Sequence, residues 1–113
     1  MMTTRNGEEK HPFLSIDKLV HEPARLFILA QLYVVESVDF IYLLQKSGMT
    51  QGNLSSHLNK LEAVKCISVT KEFVGKKPHT LLAITQIGKD ALKNYITSMK
   101  KIVEELSNDM KTG

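Results

Sequence analysis

Two amphipathic segments in the middle of this chain are separated by a very short break, which limits the folds open to it. Asp39 can cap a short helix, and Gly48 suits the left-handed position in which helices commonly end. Only Met49 separates this stop from Thr50, a second capping residue that can open the segment QGNLSSHLNKLEAV. Two helices joined by a turn of about three to four residues that contains glycine form a helix-turn-helix.

The two predicted helices differ in their exposed faces. The inner face of the first is expected to comprise Phe40, Leu43 and Leu44. In the second, at about 100° per residue, Leu54, Leu58 and Leu61 fall on one narrow stripe that should face the core. The opposite face carries small or hydrogen-bonding residues, namely Gly52, Ser56, Asn59, Lys60 and Ala63, flanked by Asn53 and Ser55. Such a face suits close approach to base edges in a DNA major groove about 12 Å wide, although a plain solvent-exposed helix can have the same composition.

After Val64 the pattern changes from helical spacing to alternation. The β-rich runs CISVTKEFV and HTLLAI are separated by the turn segment GKKP, which predicts an antiparallel hairpin. From Lys65 to His79 the chain holds four lysines and one acid, so this segment accounts for the whole formal net charge of +3. A hairpin with Lys76 and Lys77 at its tip can contact phosphate groups beside the preceding helix. A lysine-rich turn is also common as plain soluble surface, but the two adjacent elements together favour DNA as the partner.

The chain before these elements is expected to form an arm and two helices. Residues 1–12 are polar and predict a flexible N-terminal arm. A short helix is expected next, with the apolar residues Leu14, Ile16, Leu19 and Val20. Pro23 suits the first position of the following helix, because its missing N–H would be unpaired there. That helix, PARLFILAQLYVVES, is apolar on most sides and is predicted to be the buried central helix.

The last segment is predicted to be a long helix with an apolar seam. Thr85 can cap it, and its apolar residues recur at spacings of three and four. The seam comprises Leu92, Tyr95, Ile96, Met99, Ile102, Val103, Leu106 and Met110. Exposing such a seam costs about 25 cal/mol per Å² of apolar surface, so burial against a second copy is expected. Two-fold symmetry would place two copies of the Thr50 helix about 34 Å apart on DNA; the alternative is that the seam packs on its own domain.

One long run of this sequence, LLQKSGMTQGNLSSHLNKLEAVKCISVTKEFVGKKPHTLLAITQIGKDAL, resembles the winged helix-turn-helix regulators of the MarR and ArsR superfamily. The resemblance is closest to the short group that consists of little more than the winged helix and a dimerising tail, and it spans roughly residues 13–106. Its most specific parts are GMTQGNLSSHLNKLE, GKKPHT and ITQIGKDAL, while EPARLFIL is similar to the first core helix, where Arg25 matches a recurrent arginine. The chain departs from the family at Lys65 and Cys66, where glycine is frequent, and this leaves the local turn geometry open.

The resemblance implies a fold and a set of DNA-contacting residues. The fold is mainly α with a small β-hairpin wing (α+β), a winged helix-turn-helix with a long C-terminal dimerisation helix. The implied DNA-binding domain covers residues 13–84, and the dimerisation helix covers 85–113 and packs on the same domain. To the residues that the resemblance implies, the predicted DNA-contacting set adds Lys71 and His79 of the lysine-rich segment. The full set comprises Thr50, Gln51, Gly52, Asn53, Ser55, Ser56, His57, Asn59, Lys60, Lys71, Lys76, Lys77, Pro78 and His79.

The sequence contains little that indicates redox sensing, metal binding, catalysis or membrane insertion. Cys66 is the single cysteine, so no internal disulfide is possible, and the first residues lack the apolar centre of a secretory signal; both features favour a cytoplasmic location. A thiolate beside Lys65 could have a lowered pKa and sense oxidation, but a small, partly buried residue at the start of a strand is the more common role. No zinc-ligand spacing, catalytic motif or apolar membrane-spanning run is present, so we expect no metal, cofactor, enzymatic activity or membrane partner.

The sequence therefore predicts a cytoplasmic, homodimeric transcriptional regulator, a repressor, that binds specific sites in double-stranded DNA. Two alternatives stay open at this point, because a fold does not determine a function. One is a winged-helix module that binds protein instead of DNA. The other is a regulator that responds to a small effector or, through Cys66, to oxidation.

Overall fold

The computed structural model describes residues 17–112. Within this range the elements follow in the order α1 (Pro23–Val35), β1 (Ser37–Asp39), α2 (Phe40–Ser47), α3 (Gln51–Ala63), β2 (Ile67–Val74), β3 (Lys77–Ile84) and α4 (Gln86–Thr112). Helices around a small antiparallel sheet, closed by a long last helix, confirm the predicted fold class. The predicted arm over residues 1–12 and the apolar residues Leu14 and Ile16 lie outside the described residues.

Where it is described, the segment before α1 forms a turn rather than the predicted short helix. Residues 18–20 form this turn, and Val20 within it is fully buried. A single apolar side chain can reach the core from a turn, so the burial of Val20 does not require helical structure. Glu22 then caps α1 by accepting a hydrogen bond of 2.8 Å from the backbone N–H of Arg25, and Pro23 occupies the first helical turn as predicted.

Burial of α1 is confined to one face. Ile28, Leu29 and Leu32 are fully buried, as expected of a central helix. Val34 and Val35 are exposed, because the last turn of α1 extends past the core before the chain reverses at Glu36, whose φ is 70°. The expectation that most sides of this helix are buried is therefore wrong for its C-terminal turn.

The sheet has three strands rather than the two that alternation predicted. β2 and β3 form the expected antiparallel hairpin, and β1 adds to the other edge of β3 to give the order β1-β3-β2. The hairpin turn is also tighter than the predicted GKKP segment. Only Gly75, with φ 65°, and Lys76 form it, while Lys77 and Pro78 belong to β3. A two-residue turn with a positive φ matches the twist of the flanking strands.

Every element described contributes to one core that fixes the orientation of α3. The three leucines predicted to face inward, Leu54, Leu58 and Leu61, are buried. Around them pack the buried side chains of Ile28, Leu29, Leu32, Leu43, Ile67, Leu82 and Leu92. Asp39 caps α2, and Gly48 ends it in the left-handed conformation with φ 71°, as predicted. The helix-turn-helix thus presents the polar side of α3 to the outside.

The connection between α3 and β2 closes without the glycine that the family often uses. Lys65 itself takes the left-handed conformation, with φ 64°. Its N–H donates to the carbonyl of Glu62, and the N–H of Cys66 donates to the carbonyl of Leu61, both at 2.9 Å. These are the two hydrogen bonds of a Schellman motif, so a lysine serves at the position where glycine is most common.

The start of α4 is attached to this same connection. Thr85 caps α4 as predicted, since its Oγ1 accepts from the N–H of Gly88 at 3.1 Å. The same hydroxyl donates to the carbonyl oxygen of Lys65 at 2.6 Å, and the Thr85 N–H donates to that of Cys66 at 3.0 Å. Among residues 17–112, no helix combines the length and apolar character needed to cross a membrane.

Candidate nucleic-acid interface

The exposed side of α3 is uncovered within the subunit. The side-chain oxygen of Thr50 accepts from the N–H of Asn53 at 3.1 Å and so caps the helix. Beyond this cap the exposed predicted residues are Gln51, Gly52, Asn53, Ser56, Asn59 and Lys60. No other part of the described chain covers these residues, so hydrogen-bonding groups of a ligand can reach them. The helix N-terminus adds a partial positive charge that favours an anionic ligand.

A groove of about 310 Å³ runs between α3 and the sheet. From α3 it is lined by Gln51, Ser55 and Asn59, and from the hairpin by Lys71 and Thr80. Lys71 and Thr80 are direct cross-strand partners, which explains why both side chains lie on the same face. The structure therefore brings Gln51, Ser55, Asn59 and Lys71 of the predicted set together around one groove. It also adds Thr80, which the sequence did not indicate because its position opposite Lys71 depends on the hairpin register.

The remaining basic residues of the segment lie toward the tip of the hairpin. Lys76 is in the turn, Lys77 and Pro78 open β3, and all three are exposed. Neither lysine forms an ion pair with another residue of the 17–112 range. Because their charge is uncompensated there and projects beyond the body of the domain, the tip is suited to a polyanion. We call residues 71–80 the wing.

His57 lies on α3 but faces α1 rather than the open side. Its half-buried ring has Nδ1 at 3.1 Å from Nη1 of Arg25 and 3.9 Å from the carboxylate of Glu22. Arginine can only donate, so Nδ1 accepts this hydrogen bond. Arg25 also donates through Nε to the carbonyl of Leu19 at 2.6 Å. The backbone N–H of Arg25 and the charge of its guanidinium hold the pKa of Glu22 below its usual value. Together these contacts fix α3 against the start of α1.

His79 has a similar positioning contact at the base of the wing. Its Nδ1 lies 2.7 Å from the carboxylate of Asp39, the residue that caps α2. The hydrogen bond from His79, followed by that from the backbone N–H of Ile41, lowers the pKa of Asp39. The structure thus separates His57 and His79 from the open lysines and amides, although both were predicted in one set with them.

The premise of a reactive thiolate at Cys66 is wrong. The side chain is buried at the start of the sheet, and this burial raises the pKa of its thiol, with a further increase from the charge of Asp17. A low-pKa, accessible thiolate is the property that redox-sensing cysteines share. The alternative role, a small buried residue at the entrance to β2, is the one that the structure shows.

The apolar seam of α4 is divided between the core and the surface. Leu92 and Ile102 are buried within the subunit. By contrast, Val103 is 54% exposed, and a mainly apolar groove is lined by Tyr95, Ile96, Met99 and Val103. Exposed apolar side chains continue along this helix through Ile96, Val103, Leu106 and Met110. We call these four residues, with Met99, the outer seam.

Comparisons with known proteins agree with this architecture. The family model described as winged helix DNA-binding domain matches residues 24–103. An uncharacterized protein of Methanocaldococcus jannaschii is 35% identical over 89 residues, which is 79% of this chain and 97% of that protein.

Two solved structures extend the comparison. A transcriptional regulator homologue from Pyrococcus horikoshii OT3 superposes with a TM-score of 0.78 at 27% identity, over 84% of this chain and 96% of that one. BpsR of Bordetella bronchiseptica, whose DNA binding is regulated by 6-hydroxynicotinic acid, has a TM-score of 0.64 at 15% identity, over 83% and 71% of the two chains, and shares the fold alone.

These matches agree with the geometry. The helix-turn-helix and the adjoining hairpin lie within the matched range, which ends inside the closing helix at residue 103. The family model and the regulator homologue from Pyrococcus horikoshii confirm the winged-helix resemblance seen in the sequence. The chain belongs to the winged helix DNA-binding domain family.

Proposed function

We propose that this protein is a cytoplasmic, homodimeric transcriptional regulator that binds specific sites in double-stranded DNA. In this proposal α3 enters the major groove, and the wing contacts the neighbouring backbone or minor groove. We further propose that it represses, because a dimer that occupies a promoter blocks access without any additional contact.

The observation that carries the proposal is the shared groove of α3 and the wing. Gln51 and Asn59 can pair with base edges, since side-chain amides both donate and accept and can bind adenine with two hydrogen bonds. Lys71 lies across the same groove, and Lys76 and Lys77 extend the positive charge outward. Amides that read bases and lysines that neutralise phosphates are thus available to one duplex at once.

A selection experiment followed by salt titration tests DNA binding. Duplexes recovered from a random pool should share a two-fold symmetric sequence, and their affinity should fall steeply between about 50 and 200 mM salt. Lys76→Ala with Lys77→Ala should reduce the slope by about one for each phosphate that the variant no longer neutralises. Lys93→Ala with Lys101→Ala, which removes the same charge from exposed positions of α4, should leave the slope much closer to that of the unaltered protein.

Sequence preference separates a base-reading helix from a merely basic surface. Asn59→Ala should change the selected sequence, whereas the double lysine variant should weaken binding to all duplexes alike. If no duplex binds at about 50 mM salt, the proposal is wrong, and the alternative of a protein-binding module is favoured.

The dimer is proposed to form through the outer seam of α4. Its side chains, exposed in the subunit except for the half-buried Met99, follow one another along the helix, so a second copy related by a two-fold axis can bury both seams together. Val103→Glu with Leu106→Glu places four charges in that interface and should give a monomer in sedimentation. Lys101→Glu, at an exposed site outside the outer seam, is the control and should remain a dimer.

A further inference from the structure

Two exposed apolar residues at the end of the wing are not accounted for by the lysine contacts. Phe73 is 74% exposed and Val74 is 58% exposed. An exposed phenylalanine leaves a large apolar surface in water, and its burial in a complex contributes a free energy that salt does not screen. A short side chain on the face of the hairpin beside α3 is directed toward a ligand that α3 holds, whereas one on the opposite face is directed away from it.

The register of the hairpin distinguishes the two side chains. Successive side chains of a strand point to opposite faces, so Phe73 lies on the same face as Val69 and Lys71. Val69 and Lys71 line the groove beside α3, and Phe73 continues their row about 7 Å farther out. Val74 lies on the opposite face. Phe73 therefore extends the face that α3 and the wing share, and Val74 does not.

The cross-strand neighbour of Phe73 supports a rigid contact. Phe73 pairs with Pro78, and this exposed pair stands one step beyond the Lys71–Thr80 pair. Proline fixes its own backbone angle and adds a second apolar surface beside the ring. Lys71 lies on the same face as this pair, and Lys76 lies in the adjoining turn, so positive charge is present on both sides of it along the hairpin. An apolar projection among cations is complementary to a DNA minor groove, where sugars and base edges lie between two phosphate strands.

We propose that Phe73, supported by Pro78, is an apolar minor-groove contact of the wing. The ring packs against deoxyribose and base edges in the groove that flanks the site read by α3. This inference rests on the proposed function. Phe73 would add a salt-independent contribution to the free energy of DNA binding, whereas the lysines supply the salt-dependent contribution.

The test compares Phe73→Ala with Val74→Ala on a fluorescein-labelled duplex recovered from the random pool. Both substitutions remove exposed apolar surface from adjacent positions, but on opposite faces of the hairpin. Phe73→Ala should weaken binding about tenfold, as burial of most of a phenylalanine side chain implies, and leave the salt slope unchanged. Val74→Ala should stay within about twofold of the unaltered protein. Thermal unfolding by circular dichroism should confirm that both variants fold.

Hydroxyl-radical footprinting provides an independent reading, because these radicals attack deoxyribose from the minor groove. The unaltered protein and Val74→Ala should protect the flanking minor groove, and Phe73→Ala should lose that protection while keeping the central footprint. The inference is overturned if the unaltered protein binds and Phe73→Ala matches Val74→Ala in affinity and footprint. It is also overturned if Phe73→Ala instead abolishes the dimer in sedimentation. Absence of any DNA binding by the unaltered protein defeats the proposed function itself, and the inference with it.

Discussion

Replacing Gly88 by alanine tests the close attachment of α4 to the connection between α3 and β2. A Cβ at this position would lie 2.1 Å from the carbonyl oxygen of Cys66 and 2.8 Å from Cγ1 of Ile84. Restoring an ordinary contact of 3.4 Å to that oxygen requires a displacement of 1.3 Å, the difference between the two distances. The nearer contact is with backbone, so no side-chain rotation can relieve it. The first turn of α4 must move away from the sheet.

This movement also weakens the cap of α4. The clash and the weakened cap together determine how far the free energy of unfolding falls. The carbonyl oxygen of Cys66 accepts from the N–H of Thr85 at 3.0 Å, and the hydroxyl of Thr85, which donates to Lys65, also lies 3.0 Å from it. Overpacking costs about 1–3 kcal/mol, and loss of a cap costs about 1 kcal/mol. The higher helix propensity of alanine offsets about 1 kcal/mol of this. We expect Gly88→Ala to lower the free energy of unfolding by roughly 1–3 kcal/mol.

Urea unfolding at one fixed protein concentration measures the effect without a change in any dimer equilibrium. Gly52→Ala is the matched control, because Gly52 lies in the first turn of α3 and no atom outside the adjacent helical backbone comes within 4 Å of its added Cβ. That variant should gain about 0.5–1 kcal/mol. Should Gly88→Ala prove as stable as Gly52→Ala, the close approach at Cys66 does not limit this junction, and the reasoning is refuted.

Three further predictions concern single residues. Lys65→Gly should raise the urea midpoint by the equivalent of up to about 1 kcal/mol, because glycine adopts the left-handed conformation without strain, whereas Lys65→Ala should not. The pKa of Asp39 is held below its ordinary value of 3.8, chiefly by the hydrogen bond from His79. Its contribution to stability is therefore complete above about pH 4 and is lost as the pH falls through the lower pKa of the folded state. Asp39→Asn should remove this loss of stability at acid pH, as measured by thermal unfolding. The raised pKa of Cys66 should make its alkylation by iodoacetamide at pH 8 much slower in the folded protein than in urea.

The elements that the sequence predicted correctly are those specified by local interactions. Gly48 and Thr50 are a stop and a start whose hydrogen bonds join residues within one helical turn. The leucines of α3 reveal their common face through spacing alone. β1 has no such local signal, because its three residues are too few to show alternation and its partner strand is β3, distant in the chain. Pairing with a remote strand is a tertiary property.

The distinction between local and tertiary interactions also explains which parts of the candidate site the sequence could predict. Exposure of Asn59 and Lys60 follows from their place opposite the leucines, so it could be predicted. The contact of His57 with Arg25 joins residues 32 positions apart, and no pattern within α3 indicates it. Spacing likewise identifies the apolar residues of α4 but cannot say which side chain each one meets. Leu92 therefore belonged to the same predicted seam as Val103, although only Val103 is exposed.

The connection at Lys65 and Cys66 unites the parts on which the proposed function depends. It ends α3, begins β2 and, through its two carbonyl groups, holds Thr85 at the start of α4. A rotation of α4 about its N-terminus therefore strains hydrogen bonds made by the residues that place the wing. In a dimer formed through the outer seam, the angle between the two α4 helices would consequently set the separation of both wings and both copies of α3. Substitutions at this connection should then alter the preferred spacing of the two half-sites without altering the bases that each α3 selects.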